Sequence, residues 1–330
     1  MRGAFEDGDE AAIALALADG WGFDASALEY AAVGAGSYHW LATAVDGRRG
    51  FVTVDDLDSK LWLGDTRESV AEGLERAFAT ARVLHDRGLE FVAAPLPARG
   101  GETVRRLGPR HTVALFPFVD GEPGQWGEYD ATERGAVLEL LARLHASTPA
   151  VAATALAIGL DIAGRHHIER ALRELDRPWT GGPFSEPARE GLGRHASRIA
   201  ELLALADRLA ADIAARGAPW VVTHGEPHAA NVMRTADGYV LVDWDTVALA
   251  PPERDLWMVA AETAPYARVT GHEPDPVAID YFRLTWDLKD LAEYLNTFRS
   301  PHGRNEDTTR ELEFVRTCGS IREQWAPYLD

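Results

Sequence analysis

WVVTHGEPHAANVMRTADGYVLVDWDTVALAPPERDLW, residues 220–257, holds two short apolar runs, Trp220 to Thr223 and Tyr239 to Val242, separated by a polar segment and a turn. Their β-branched and aromatic content suits buried strands. His224, Gly225, Glu226, Pro227, His228 and Asn231 fill the space after the first run and read as loop. Val232 to Arg234, the turn Thr235-Ala236-Asp237-Gly238 and Tyr239 to Val242 then form a hairpin pattern with Asp-Gly at the bend. An antiparallel hairpin brings its open ends together. Asn231 therefore enters where Asp243 leaves, twelve positions later, and both side-chain oxygens can face one point.

An amide oxygen and a carboxylate are too few ligands for a protein-enclosed calcium cage. They are enough for a magnesium ion that completes its shell with water and nucleotide phosphates. Glu226, on a loop stiffened by Pro227, stands where it can accept a proton from a hydroxyl, and His224 joins it as a catalytic candidate. The order base, Asn, Asp is the phosphoryl-transfer arrangement. Two other readings compete. His224 and His228 around an acid suggest a zinc hydrolase, but that motif needs a helix, which Gly225 and Pro227 oppose. A buried hairpin with incidental polar residues is the other, and the convergence of Glu226, Asn231 and Asp243 argues against it. Asp255 reads as structural, bonding backbone amides of the loop.

The sequence resembles the aminoglycoside phosphotransferase family, which shares a protein-kinase-like fold with choline kinases. His224-Gly225-Glu226-Pro227-His228-Ala229-Ala230-Asn231 matches that family's catalytic loop and Val242-Asp243-Trp244-Asp245 its metal-binding segment. Pro251-Pro252-Glu253-Arg254-Asp255-Leu256-Trp257 adds to the match and is most similar to the spectinomycin phosphotransferase branch. The resemblance runs from about Leu28 to Leu295. Two positions depart from the pattern: Glu226 stands where the family usually has Asp, and Thr53 where its third strand usually carries Lys.

The resemblance implies an α+β, bilobal protein-kinase-like fold. It comprises an N-terminal nucleotide-binding lobe, 1–118, with a small five-stranded antiparallel sheet plus one helix, and a larger, mainly helical C-terminal lobe, 119–330. It implies ATP and Mg2+ as cofactors, with Asn231 and Asp243 as metal ligands. A length of 330 residues also favours two lobes over a single core. A formal charge of -19 argues against nucleic acid or an anionic membrane surface as partner and agrees with cationic small molecules. Cys318 is the only cysteine, so no intrachain disulfide framework is possible and a reducing cytoplasm fits. The acidic stretch Met1 to Gly8 lacks the features of a signal peptide, and the short apolar run Ala11 to Ala18 cannot span a bilayer.

Taken in order, Asp9 to Ala18 reads as a helix stopped by Gly20. Strands follow at Leu28 to Val33, His39 to Val45 and Gly50 to Val54. Gly34, Gly36 and Ser37, between the first two, fit a turn whose backbone amides approach phosphates. Lys60 and Lys289 are the only lysines in the chain. Lys60 either folds back toward the phosphates in place of the missing lysine or is a surface charge among aspartates. A helix capped by Asp65 or Thr66 runs to Arg87, with Glu72 and Glu75 on its surface. Phe91 to Leu96 and Val113 to Phe118 complete the five strands, and backbone near Phe116, Phe118 and Val119 offers the adenine slot that the resemblance implies.

Helices are expected from Asp130, at Ile168 to Leu175, at Ile199 to Ile213, at Val277 to Phe298 and at Glu311 to Trp325, with a loop over Pro178 to Pro187. In the family the C-terminal helices wall the acceptor pocket, which makes Asp287, Asp290 and Tyr294 candidate substrate residues, with a solvated face as the other reading. Together these residues predict an ATP-dependent kinase, a cytoplasmic monomer or weak dimer, acting on a hydroxyl of a small cationic aminocyclitol or aminoglycoside. The alternatives are a kinase of another alcohol (choline-like, sugar, nucleoside or peptide serine) and a nucleotide-binding pseudokinase, which the missing third-strand lysine allows.

Overall fold

A computed structural model describes residues 10–34, 36–60, 62–127, 129–217, 219–259, 263–318 and 325. The chain forms two compact units, Gly3–Gly159 with Pro219–Pro274, and Leu160–Ala218 with Asp275–Asp330. In the first, helix α1 (Glu10–Trp21) precedes strands β1 (Ala25–Ala31), β2 (Ser37–Ala44) and β3 (Arg49–Asp56); helix α2 (Arg67–Asp86) and strands β4 (Arg105–Leu107) and β5 (His111–Pro117) follow. These strands form one five-stranded antiparallel sheet in the order β1-β2-β3-β5-β4. Alternation along β2 and β3 drives it. Trp40, Ala42, Val52 and Val54 join Val113 and Leu115 in a core that Ile13 and Leu17 of α1 cover. Phe78 of α2 meets Phe116 edge-on, with ring centroids 5.3 Å apart. Thr66 caps α2 reciprocally with Ser69.

Two expectations fail here for identifiable reasons. Helix α1 continues through Gly20 to Trp21, and Gly22 is the residue with positive φ, +61°. Phe91 to Leu96 is not a strand, and the fifth strand is Arg105–Leu107. Pro95 has no amide hydrogen, and the backbone around it bonds in two directions: Ala93 N donates to Leu241 O (3.0 Å), while Leu96 N donates to Leu115 O (2.7 Å). No single ladder forms, although Phe91, Val92, Ala93 and Ala94 are all buried.

The first unit continues with β6 (Gly121–Pro123), α3 (Ala131–Ala146), α4 (Thr148–Val151) and β7 (Leu156–Ala157). The second unit contributes α5 (Arg165–Arg173) and α6 (Ser185–Arg216). The chain then returns to the first unit as β8 (Val221–Thr223), β9 (Val232–Thr235), β10 (Gly238–Leu241), β11 (Ala248–Ala250), α7 (Glu253–Val259) and α8 (Ala264–Thr270). It ends in the second with α9 (Pro276–Arg299) and α10 (Glu306–Thr317). Two three-stranded sheets, β10-β9-β6 and β7-β11-β8, hold the segment 220–250.

The second unit is helical around Ile168, Leu192, Ile199, Leu202, Leu288 and Leu295. Helix α6 starts fourteen residues before the expected Ile199, because Pro187 falls in its first turn, where no intrahelical amide is lost. The expected loop is correspondingly shorter. Asp275 caps α9 through Val277 N (3.0 Å), and Asn305 caps α10 five residues earlier than expected. The expected extension of that last helix over 319–324 lies outside the described residues. Among the described residues no helix is long and apolar enough to cross a membrane.

Candidate active site

β8 delivers the chain into the loop 224–231, whose shape is fixed from behind. Asp255, fully buried at the start of α7, accepts from His224 N (2.8 Å) through Oδ2 and from Gly225 N (2.6 Å) through Oδ1. His145 Nε2 lies 3.1 Å from the same Oδ2, and His145 Nδ1 lies 2.7 Å from the Tyr266 hydroxyl. Burial alone would raise the Asp255 carboxyl, but the His145 hydrogen bond and nearby His145, His224 and Arg254 bring it below its ordinary value. The structural role read for Asp255 is therefore observed directly. Gly225 has φ +99°, and a Cβ there would sit 2.4 Å from the Arg254 guanidinium. Arg254 itself bonds Thr223 Oγ1 and Thr246 O, both at 2.8 Å.

His224 is fully buried, and both its ring nitrogens face backbone: Nε2 donates to Val242 O (2.9 Å) and Nδ1 accepts from Glu226 N (3.2 Å). Burial lowers its pKa, so the neutral ring is the form that fits. His224 thus sets the position of Glu226, which follows it at the surface of the loop, half-buried.

The hairpin ends meet. Val242 N donates to Asn231 O (3.0 Å), and Asn231 Nδ2 donates to Glu226 O (3.0 Å), which turns the amide oxygen the other way. Asp243 has a left-handed φ of +66°, rare outside glycine and typical of functional strain. Its residue surface is exposed to solvent, while protein atoms crowd the carboxyl from the chain side. Burial and neighbouring Asp245 push its carboxyl well above the usual range, against the pull of Lys60. An all-oxygen donor pair beside surplus negative charge fits a hard divalent cation. Among the described residues no three His, Cys, Asp or Glu side chains could cage an ion by themselves, so other ligands would have to complete the shell.

In the glycine turn before β2, Gly34 and Gly36 have φ of +70° and +86°, the conformation a backbone-lined turn requires. Thr53, where a lysine was missing, lies 3.3 Å from His39 Nδ1. Lys60 does not lie on the surface: it is 2 % exposed, and its ammonium lies 2.5 Å from Asp245 Oδ2, 3.1 Å from Asp55 Oδ1 and 3.1 Å from Ser37 Oγ. Burial alone would lower this lysine, yet Asp245, Asp55 and Asp243 hold it above its ordinary value. On α2, Glu72 is exposed as expected. Glu75 is not a free surface residue: its carboxylate accepts from Thr103 N (2.9 Å) and Val104 N (2.9 Å). Phe116 is buried, Phe118 carries the Arg49 guanidinium 3.6 Å from its ring centre, and Phe118 and Val119 follow the end of β5.

Asp287, Asp290 and Tyr294 lie on α9 in the second unit. Asp287 is buried, against the reading of a solvated face. Tyr294 stands edge-on to Phe314, and burial together with Asp290 raises its phenol. Sequence reasoning missed a strap across the catalytic loop. Gly124 N donates to Val232 O (3.0 Å), the Trp126 ring lies 4.4 Å from that of His228, and the buried Tyr129 hydroxyl donates to Pro227 O (2.6 Å). The Gly-Trp-Tyr spacing carried no motif that would have pointed to it.

Residues 13–297 match the family described as the phosphotransferase enzyme family, APH. Over 260 residues the chain is 29% identical to Protein StrN of Streptomyces griseus, covering 75% of this chain and 77% of that protein. Spectinomycin phosphotransferase APH(9)-Ia, solved with ADP and spectinomycin, is similar with a TM-score of 0.66 at 15% identity, over 92% of this chain and 93% of that one. A microcompartment-associated aminopropanol kinase is similar with a TM-score of 0.61 at 16% identity, over 98% and 99%. Those two structures share the kinase-like fold. With its catalytic-loop and hairpin elements inside the matched span, this chain belongs to the phosphotransferase enzyme family.

Proposed function

We propose that the protein transfers the γ-phosphoryl group of ATP to a hydroxyl of a small cationic molecule of the aminocyclitol or aminoglycoside type. The observation that carries this reading is the meeting of Glu226, Asn231 and Asp243 on one hydrogen-bonded scaffold. Glu226 orients the acceptor hydroxyl and takes its proton as the oxygen attacks phosphorus and ADP leaves. Asn231 and Asp243 would hold magnesium, which would supply positive charge to offset that of the nucleotide phosphates. Gly34, Gly36 and Ser37 cover the phosphates, Lys60 supplies the cation that the third strand lacks, and backbone at Phe116, Phe118 and Val119 receives adenine. His224 acts through Glu226, as a positioning residue.

The acceptor class rests on chemistry and on relatives. A net charge of -19 suits a cation, and the similar structures act on spectinomycin and on aminopropanol, both amine-bearing alcohols. Asp287, Asp290 and Tyr294 are assigned to the acceptor because carboxylates and phenol oxygens pair with ammonium groups. The pseudokinase alternative drew on the absent lysine, and the buried Lys60 ammonium beside the metal-binding segment weakens it.

Thermal melts with and without ATP and magnesium, followed by ADP release over a panel of aminocyclitols, aminoglycosides, ethanolamine and aminopropanol, test the reading. A nucleotide-dependent rise in Tm and turnover on an aminocyclitol or aminoglycoside are expected. Stabilisation without turnover on any acceptor would favour a nucleotide-binding regulator, and turnover confined to simple amino alcohols would move the substrate class.

A further inference from the structure

A lysine that contacts nucleotide phosphates has to be aimed, and in protein kinases an ion pair to a helix glutamate does this. That arrangement is unavailable here. Of the two α2 glutamates, Glu72 points to solvent and Glu75 spends its carboxylate on the Thr103 and Val104 amides. Lys60 is instead surrounded from other directions. An ammonium has three donors: two go to Asp245 Oδ2 (2.5 Å) and Ser37 Oγ (3.1 Å), while Asp55 Oδ1 lies 3.1 Å away as an ion-pair partner, which leaves a donor for a phosphate oxygen. Ser37 Oγ donates in turn to the same Asp55 oxygen (2.7 Å), which ties the glycine turn to the end of β3.

We propose that Asp245, seconded by Asp55, is the positioning residue for Lys60, so that the phosphate lysine is aimed from the metal-binding segment and the strand end, not from α2. This rests on the phosphotransferase reading above. Two consequences follow from the geometry. The lysine, the glycine turn and the metal segment are joined in one hydrogen-bonded unit. A carboxylate two residues beyond a metal ligand serves the nucleotide through a protein cation.

The experiment is a double-mutant cycle on ATP affinity in the intact chain, read by calorimetry with magnesium present. Asp245→Asn is made in the wild type and in the presence of Lys60→Met, with melts to confirm folding. The carboxamide should loosen ATP at least about fivefold when Lys60 is present and should not loosen it when Lys60→Met is already there. Glu72→Gln should leave affinity within twofold. Equal loosening in both backgrounds would mean that Asp245 acts on the metal or the fold alone, and no loosening in either would remove its role; each overturns the proposal. If Asp245→Asn does not fold, Asp55→Asn, outside the metal segment, takes its place under the same criteria. Asp243→Asn separates the two levels: normal turnover in that variant sinks the phosphotransferase reading itself, whereas its loss beside an uncoupled Asp245 sinks only this inference.

Discussion

Glu226 and its neighbour Gly225 show how little freedom the loop has. Glu226→Gln keeps size and removes the proposed base, so turnover should fall about a hundred- to ten-thousand-fold with ATP affinity retained. Glu226→Asp should keep more activity than Gln, since a carboxylate survives with a shorter reach. Steady-state rates on the true acceptor decide, and a Gln variant at wild-type rate would remove Glu226 as base. Gly225→Ala is a structural test of the same loop: positive φ and a Cβ 2.4 Å from the Arg254 guanidinium should cost about 1–3 kcal/mol, seen as a lowered Tm. An alanine variant as stable as the wild type would show that the loop is not held as described. At this scale the sequence was informative where chemistry demands residue types at fixed spacing. The hairpin's open end closes at Asn231 and Val242, and Asp255 bonds the loop amides, as their spacing suggested. Burial of Lys60 was not readable, because its partners Asp55 and Asp245 are 5 and 185 positions away and the latter contact exists only in the folded chain.

At the scale of elements, the strap from β6 to Tyr129 is the feature that sequence periodicity could not show. Its contacts with the loop are a backbone bond, a ring contact and one hydroxyl. Tyr129→Phe leaves Pro227 O without that donor, which should cost about 1–3 kcal/mol and loosen the base more than the nucleotide. Turnover should drop while ATP affinity holds, and a parallel loss of both would mean that the strap supports the whole unit. Long amphipathic helices were read well: α2 and α9 lie within two residues of expectation, because their apolar spacing and caps agree. Short polar strands were not. Arg105-Arg106-Leu107 has no strand composition, yet it pairs with β5 and lays Leu107 against the sheet core, while the apolar run Phe91 to Ala94 is buried without a ladder.

For the whole molecule, particular buried groups of the two units should respond to pH in opposite directions: His39, His224 and Asp255 in the first, Glu311 in the second. In the first, His39 is lowered to about 3 and His224 is also lowered, both chiefly by burial. The unfolded chain takes up these protons below about pH 6.5 and the folded one refuses them, so stability falls as pH drops, by up to about 1.4 kcal/mol per pH unit for each ring. Asp255 has the same sign: its folded value is depressed, so its contribution is present above the ordinary carboxylate range and lost as pH falls through the folded value. In the second unit, burial and Asp307 raise Glu311 on α10 to about 7. Here the folded carboxyl keeps a proton that the unfolded chain releases above its ordinary 4.5, so raising pH from there to 7 weakens α10 by up to about 3 kcal/mol. The net charge of -19 adds self-repulsion in the same direction. Amide exchange, corrected for intrinsic rates, should therefore show α10 opening more often at pH 7.5 than at pH 5, while the amides of His224 and Gly225 are better protected at the higher pH. Glu311→Gln should flatten the response of α10 and leave the loop unchanged. If wild-type α10 exchanges alike at both pH values, Glu311 does not hold its proton in the fold.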